Sequence, residues 1–215
     1  MNSNRKMNAA FAPSYIDTTG FFRCNIPLWE QIFREYQVES YLEIGTCEGA
    51  SLFWLAERFC NTASLKATVV DDWRDFHNDG ESRYFRNFKA NLELSSHRYG
   101  SKLSVEIFRD ISKVALPRLL SMGRSNFYDL AYIDGDHTAS NVLFDCVLCF
   151  ELVRVGGLLV FDDYIWGYGN HTAETPKIAI DSFLSCFSNL IKPVFISCQQ
   201  VIVLKVKEKH FEGRL

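Results

Sequence analysis

Tyr132-Ile133-Asp134-Gly135-Asp136-His137 and, further along, Phe161-Asp162-Asp163-Tyr164 decide how this chain folds. Each stretch is a short apolar run that ends abruptly in carboxylates. Between them, Thr138 to Val153 has helical spacing, and the pattern stops by Gly156-Gly157. A strand–helix–strand unit of this kind makes two parallel neighbours whose carboxyl ends open on the same edge of a sheet. Asp134, Asp162 and Asp163 are therefore expected to converge there, with His137 one short turn away. Three crowded carboxylates repel and desolvate one another unless a cation joins them. The pattern outlines a metal site with a base beside it.

The same alternation runs outward in both directions. Upstream, strands are predicted at Tyr41–Ile44, Leu65–Val70 and Leu103–Phe108, and helices at Ser51–Phe59, Tyr84–Leu94 and Val114–Met122. The helical faces are apolar at three- and four-residue intervals, as in Leu52, Leu55, Ala56 and Phe59. Downstream, a helix over 178–189 precedes strands at 194–198 and 201–206, joined tightly at Gln199-Gln200 as an antiparallel hairpin. Strands alternating with helices predict an α/β, doubly wound, Rossmann-like sheet of seven mostly parallel strands, closed by a C-terminal antiparallel hairpin. Residues 40–206 form the core of one domain. Residues 1–36 are an extension, loosely ordered to about residue 20 and then helical from Leu28 to Tyr36.

With 215 residues and 47% apolar residues, the chain has ample material for one full core. A formal charge of -3 with no basic stripe argues against nucleic acid and membrane partners. The lysines of Lys205–Lys209 read as a solvated chain end. Seven scattered cysteines suit buried, reduced thiols of a cytoplasmic protein; Cys146 and Cys149 have paired spacing but fall within a helix and lack a second pair. The start of the chain lacks the charge and apolar run of a signal peptide, and no stretch is long enough to span a bilayer. The sequence leaves open whether the chain forms a homo-oligomer.

Glu43-Ile44-Gly45-Thr46-Cys47-Glu48-Gly49 joins the first strand to its helix. Gly45 and Gly49 permit a tight turn and close backbone approach to a ligand. Their spacing is not that of a dinucleotide binder, which disfavours a nicotinamide oxidoreductase, and Glu43 suits a ligand bearing an ammonium or other positive charge. Asp71, at the end of the second strand, is placed to accept from two ribose hydroxyls; Asp110, at the end of the third, lies where an adenine would sit. Taken one at a time, these residues also fit turns and helix caps. Asp136 is expected to cap the helix that follows it.

In order along the chain, LEIGTCEGAS, VVDDW, YIDGDH, VGGLLVFDDY, PKIAIDSF and QQVIVLK resemble class I S-adenosylmethionine-dependent methyltransferases, most closely the small single-domain members with an IDGDH motif. The resemblance runs from about Tyr41 to Lys205. It implies S-adenosylmethionine bound by Glu43, Gly45, Thr46, Gly49, Asp71, Asp72, Asp110 and Asp134, with the methionine moiety at the Gly45 loop. In the metal-dependent branch, which includes catechol and macrolide-sugar O-methyltransferases, strand-end acids hold Mg²⁺. Asp134, Asp162 and Asp163 match those positions, and His137 matches a histidine of the sugar enzymes. The second Asp replaces an asparagine of the catechol enzymes and so favours the sugar type. The implied activity is Mg²⁺-assisted O-methylation of a small hydroxylated acceptor, with His137 as base. Metal-free O- or N-methylation and non-catalytic cofactor binding are the alternatives. Tyr164–His171, rich in aromatics and glycine, is expected to cover the acceptor, with Trp73–Gly80 completing the rim. His77, His97 and His210 are expected at the surface.

Overall fold

A computed structural model describes residues 15–74, 82–167, 169 and 171–208. A 3-10 turn, Phe21–Asn25, leads into α1 (Ile26–Ile32). There follow β1 (Ser40–Ile44), α2 (Ala50–Phe59), β2 (Leu65–Val70), α3 (Arg83–Tyr99), β3 (Leu103–Phe108), α4 (Ser112–Ser121), β4 (Tyr128–Ile133), α5 (Ala139–Leu152) and β5 (Val153–Phe161). After α6 (Pro176–Cys186), the hairpin of β6 (Ile191–Ile196) and β7 (Val201–Lys205) completes the sheet. The strand order is β3-β2-β1-β4-β5-β7-β6. All pairs are parallel except those made by β7, which runs antiparallel to both β5 and β6.

Strand residues alternate between two cores, because successive side chains leave opposite faces of a sheet. Tyr41 and Tyr132 enter the layer built on Trp29, Phe53 and Trp54. Their neighbours Leu42 and Ile133 enter the layer built on Phe150, Phe161 and Phe183. Helices cover both faces, so the strands read as near-continuous apolar runs. Between β1 and β4 the chain order reverses along the sheet. A ligand site is expected beyond the strand ends at such a switch point.

The structure ends the N-terminal helix at Ile32 rather than Tyr36 and starts β6 at Ile191 rather than Val194, and it corrects further expectations. First, α5 ends at Leu152, and β5 begins at Val153 rather than at Leu158. Tyr128 pairs with Val153 but Leu130 with Leu158, so residues 154–157 bulge out of register. Gly157 permits that close approach: a Cβ there would lie 2.9 Å from the Asp129 carbonyl oxygen. Second, residues 15–20 are tied down. Glu48 accepts from Thr18 N at 2.6 Å and from its hydroxyl at 2.7 Å, and Asn91 Oδ1 accepts from Ile16 N at 2.7 Å. Third, Lys205 is not solvated; it is buried, and its ammonium donates to Asn126 Oδ1 and to the carbonyls of Phe150 and Val153. Three acceptors replace the water that a buried ammonium loses. Fourth, Trp73 is buried against Phe85 and Phe88 instead of standing on a rim. Residues 75–80 of that expected rim lie outside the described residues, as do Tyr168 and Asn170 of the loop that follows Asp163, and His77 and His210. His97 is exposed, as expected.

Candidate functional site

One cleft of about 950 Å³ opens beyond the carboxyl ends of β1, β2, β4 and β5. At one end it is lined by Gly45, Cys47, Asp71 and Asp110, and at the other by Asp134, His137, Asp162 and Asp163.

The first end is a folded-back loop held by its own chain. Gly45 has φ +85°, and a Cβ on it would stand 1.9 Å from the Asp134 carbonyl oxygen. Only glycine lets the loop pack this closely on the end of β4. Cys47 also has positive φ, at +52°. Its N–H donates to Asp71 Oδ2 at 2.8 Å, while Trp73 N donates to Asp71 Oδ1 at 2.6 Å. Trp73 Nε1 closes the ring by donating to the Cys47 carbonyl at 2.7 Å. Asp71 thus staples the loop after β1 to the loop after β2 and lines the cleft. Burial raises its pKa, and the backbone N–H groups oppose that shift.

The remaining residues expected at this end divide into two groups. Asp72 pairs with Arg74 at 2.6 Å and Asp110 accepts from Ile111 N at 2.8 Å, both on the cleft wall. Glu43, Thr46 and Gly49 stand behind the wall and do not line it. Glu43 is fully buried and accepts a short hydrogen bond from the Ser51 hydroxyl. Burial pushes its carboxyl up to about 8 against that bond. Gly49, at φ +83°, makes room for the Phe53 ring, which a Cβ would meet at 2.4 Å.

The second end is less tightly held. His137 Nε2 lies 2.6 Å from Asp163 Oδ2, and the imidazole packs on Trp166 with ring centroids 4.4 Å apart. Asp163 has φ +54°, in the left-handed region that Asp tolerates through local hydrogen bonding but that costs energy. Asp134, His137 and Asp163 each offer a donor atom, and these atoms lie within 4.8 Å of one another. Asp134 is held well above the usual carboxylate range, first by desolvation and then by the charges of Asp162 and Asp163. Asp162 is occupied differently. Its Oδ2 accepts from Asn25 Nδ2 at 2.9 Å and, in a short bond, from the Tyr132 hydroxyl; its Oδ1 accepts from Asp163 N at 2.9 Å. Tyr132 also reaches Asp134 Oδ2 at 3.1 Å. Asp136 accepts from the N–H and hydroxyl of Thr138, both at 2.6 Å, but it is not the expected cap: Thr138 is the N-cap of α5, and Asp136 makes a turn just ahead of it.

Sequence reading missed Asn25 and Tyr132 as site residues, and it did not single out Cys47 or Trp166 within the segments it placed at the site. Tyr132 and Trp166 sat inside quoted motifs, but their roles depend on neighbours brought in by folding. Asn25 carried no local signal at all, since its partner is 137 residues away.

The strand order, the bent Gly45 loop and the acids at the β4 and β5 ends together define the fold of a known family. The family described as "Methyltransferase domain" matches residues 42–164. The chain belongs to that methyltransferase family. The methyltransferase is 32% identical over 144 residues to the caffeoyl-CoA O-methyltransferase of Stellaria longipes, covering 66% of this chain and 52% of the relative. It is 25% identical over 146 residues to tapetum-specific methyltransferase 1 of Arabidopsis thaliana, covering 66% of this chain and 55% of the relative. The chain therefore spans about half the length of these two relatives. Its fold resembles an O-methyltransferase of Bacillus cereus in complex with S-adenosylhomocysteine, at a TM-score of 0.60 and 15% identity over 91% of this chain and 84% of the other. It also resembles TomG of Streptomyces achromogenes in complex with S-adenosylmethionine, at a TM-score of 0.57 and 17% identity over 84% and 78% of the two chains.

Proposed function

We propose that this methyltransferase transfers the methyl group of S-adenosylmethionine to a hydroxyl oxygen of a small acceptor, such as a sugar or a natural product, with the help of a divalent cation. The observation that carries the reading is the single cleft, which joins the Gly45–Asp71 end to the Asp134–His137–Asp163 cluster. Backbone around Gly45 and Cys47 receives the methionine moiety, Asp71 receives the ribose, and Asp72 and Asp110 border the nucleoside. The oxygen–carbon bond forms as the carbon–sulfur bond breaks, S-adenosylhomocysteine leaves, and the hydroxyl proton passes to the protein. The His137–Asp163 pair, at 2.6 Å, is the acceptor of that proton. Asp134 and Asp163 would hold a hard cation such as Mg²⁺, which would supply Lewis acidity toward the acceptor hydroxyl. Glu43 does not touch the cofactor in this reading; it supports the loop from behind. The relatives' descriptions as O-methyltransferases support oxygen as the methylated atom.

The test is turnover of labelled S-adenosylmethionine against a panel of hydroxylated metabolites, with Mg²⁺ and with excess EDTA. Transfer that requires Mg²⁺ is expected. Full activity in EDTA would remove the cation, and nitrogen-linked product would change the acceptor class.

A further inference from the structure

The 3-10 turn ahead of α1 reaches the acid end of the cleft from outside residues 42–164, the part of the chain that the family matches. Asn25 Nδ2 ties this turn to Asp162 at 2.9 Å. Asp17 closes it from the other side, accepting from Gly20 N at 2.8 Å and pairing with Arg23 at 2.7 Å. Phe22 packs inward, edge-on to Trp29 with ring centroids 4.8 Å apart. Its neighbour Phe21 is left outside and lines the cleft, 73% exposed. Trp166 reaches the same end by way of His137 and Asp163, and it is 48% exposed. A single exposed apolar residue is ordinary at a protein surface. Two large rings lining one end of one cleft make a wall suited to a ligand.

Charge at this end of the cleft is one-sided. Asp134, Asp162 and Asp163 line it, and among the described residues no lysine or arginine does. The two cations of the cleft lining, Arg74 and Lys113, follow Asp72 and Asp110 at the nucleoside end. Arg23 and Lys177, the basic residues of the neighbouring segments, are paired with Asp17 and Asp181. A divalent cation that joined three carboxylates would still leave no excess positive charge. A carboxylate, sulfate or phosphate on the acceptor would therefore meet like charge, with no guanidinium or ammonium to receive it. We infer that the acceptor carries no anionic group and lays a flat apolar ring face against Phe21 and Trp166, with Phe21 of the N-terminal turn as a specificity-determining residue. The inference rests on the methyl-transfer reading above and narrows its acceptor. Ring contact also orients the hydroxyl beside the His137–Asp163 pair, so the wall contributes position as well as affinity.

The experiment uses the full chain with S-adenosylhomocysteine and Mg²⁺ present, and reads binding without turnover by ligand-observed nuclear magnetic resonance. Phenyl β-D-glucoside is compared with methyl β-D-glucoside, which lacks the apolar ring, and with phenyl β-D-glucuronide, which adds a carboxylate. Phenyl glucoside is expected to bind about 3–10-fold more tightly than methyl glucoside, the usual worth of an aromatic contact. It should bind at least about fivefold more tightly than the glucuronide, through like-charge repulsion at the acid end. Phe21→Ala should remove most of the phenyl advantage, Phe21→Tyr should keep it, and Phe21→Lys should raise glucuronide affinity at least about threefold. Circular dichroism checks that each variant is folded, and Trp166→Ala replaces Phe21→Ala if that variant is not. Glucuronide binding as tight as phenyl glucoside overturns the inference. So does the absence of a phenyl advantage, or one that is unchanged in Phe21→Ala. Calorimetric titration of S-adenosylmethionine on the same preparation separates the two proposals. A preference for phenyl glucoside without cofactor binding defeats methyl transfer and upholds the wall. Cofactor binding with a preference for the glucuronide does the reverse.

Discussion

The two ends of the cleft use carboxylates in opposite ways. At the β1–β2 end, acids are consumed by the chain itself. Glu43 is buried and bonded to Ser51, Glu48 holds Thr18 and Asn87, and Asp71 is gripped by two backbone N–H groups. At the β4–β5 end, Asp163 and His137 remain about one-third exposed, with side-chain exposures of 40% and 32%, and face each other across the opening. The first arrangement makes a rigid cradle whose contribution is shape and backbone. The second leaves lone pairs available for chemistry. Positive φ occurs at both ends and is held in the same way: Cys47 N and Trp73 N donate to Asp71, and Asp163 N donates to Asp162.

If this contrast holds, mutations at the open end should spare the fold and remove turnover. His137→Ala is expected to lower turnover by about 10²–10⁴-fold through loss of the proton acceptor, with little change in thermal midpoint. Unchanged turnover would erase the distinction. Changes at the cradle should do the reverse. Gly45→Ala forces a methyl into the Asp134 carbonyl at positive φ, and urea denaturation should show a loss of roughly 2–5 kcal/mol. A variant as stable as the parent would show that the loop is not locked.

Asp71 tests the boundary between the two behaviours, because it both staples the cradle and faces the cleft. Asp71→Ala should weaken S-adenosylmethionine binding by roughly 1.5–3 kcal/mol in calorimetry. Stability should fall with it, since Cys47 N and Trp73 N lose their acceptor. Unaltered cofactor affinity would confine Asp71 to the structural role.

A further test at the cradle concerns Glu43. Its carboxyl is raised from an ordinary value near 4.5 to about 8 by burial. Between those values the unfolded chain has released a proton that the folded chain retains. The stability this group contributes is thus fully present below about pH 4.5 and lost as pH rises through about 8. Thermal melts of Glu43→Gln should therefore flatten that decline. An identical pH profile would mean that Glu43 is ionised in its pocket.

Strand ends, helix faces and the order of the alternation were legible in the sequence, because apolar periodicity is a local property that burial on both faces enforces. Leu65–Val70 and Leu103–Phe108 begin and end where their patterns do. The clustering of Asp134, His137, Asp162 and Asp163 was legible for the same reason, as parallel neighbours must open on one edge. What the sequence left undetermined was the division of labour among those residues. That Glu43 turns inward, that Lys205 is buried, and that Asn25 and Tyr132 claim Asp162 while His137 turns to Asp163 are decided by partners from 8 to 137 residues away. Residue type fixes which atoms can donate or accept. Only the tertiary structure decides which of them are already satisfied, and therefore which remain free to bind a ligand.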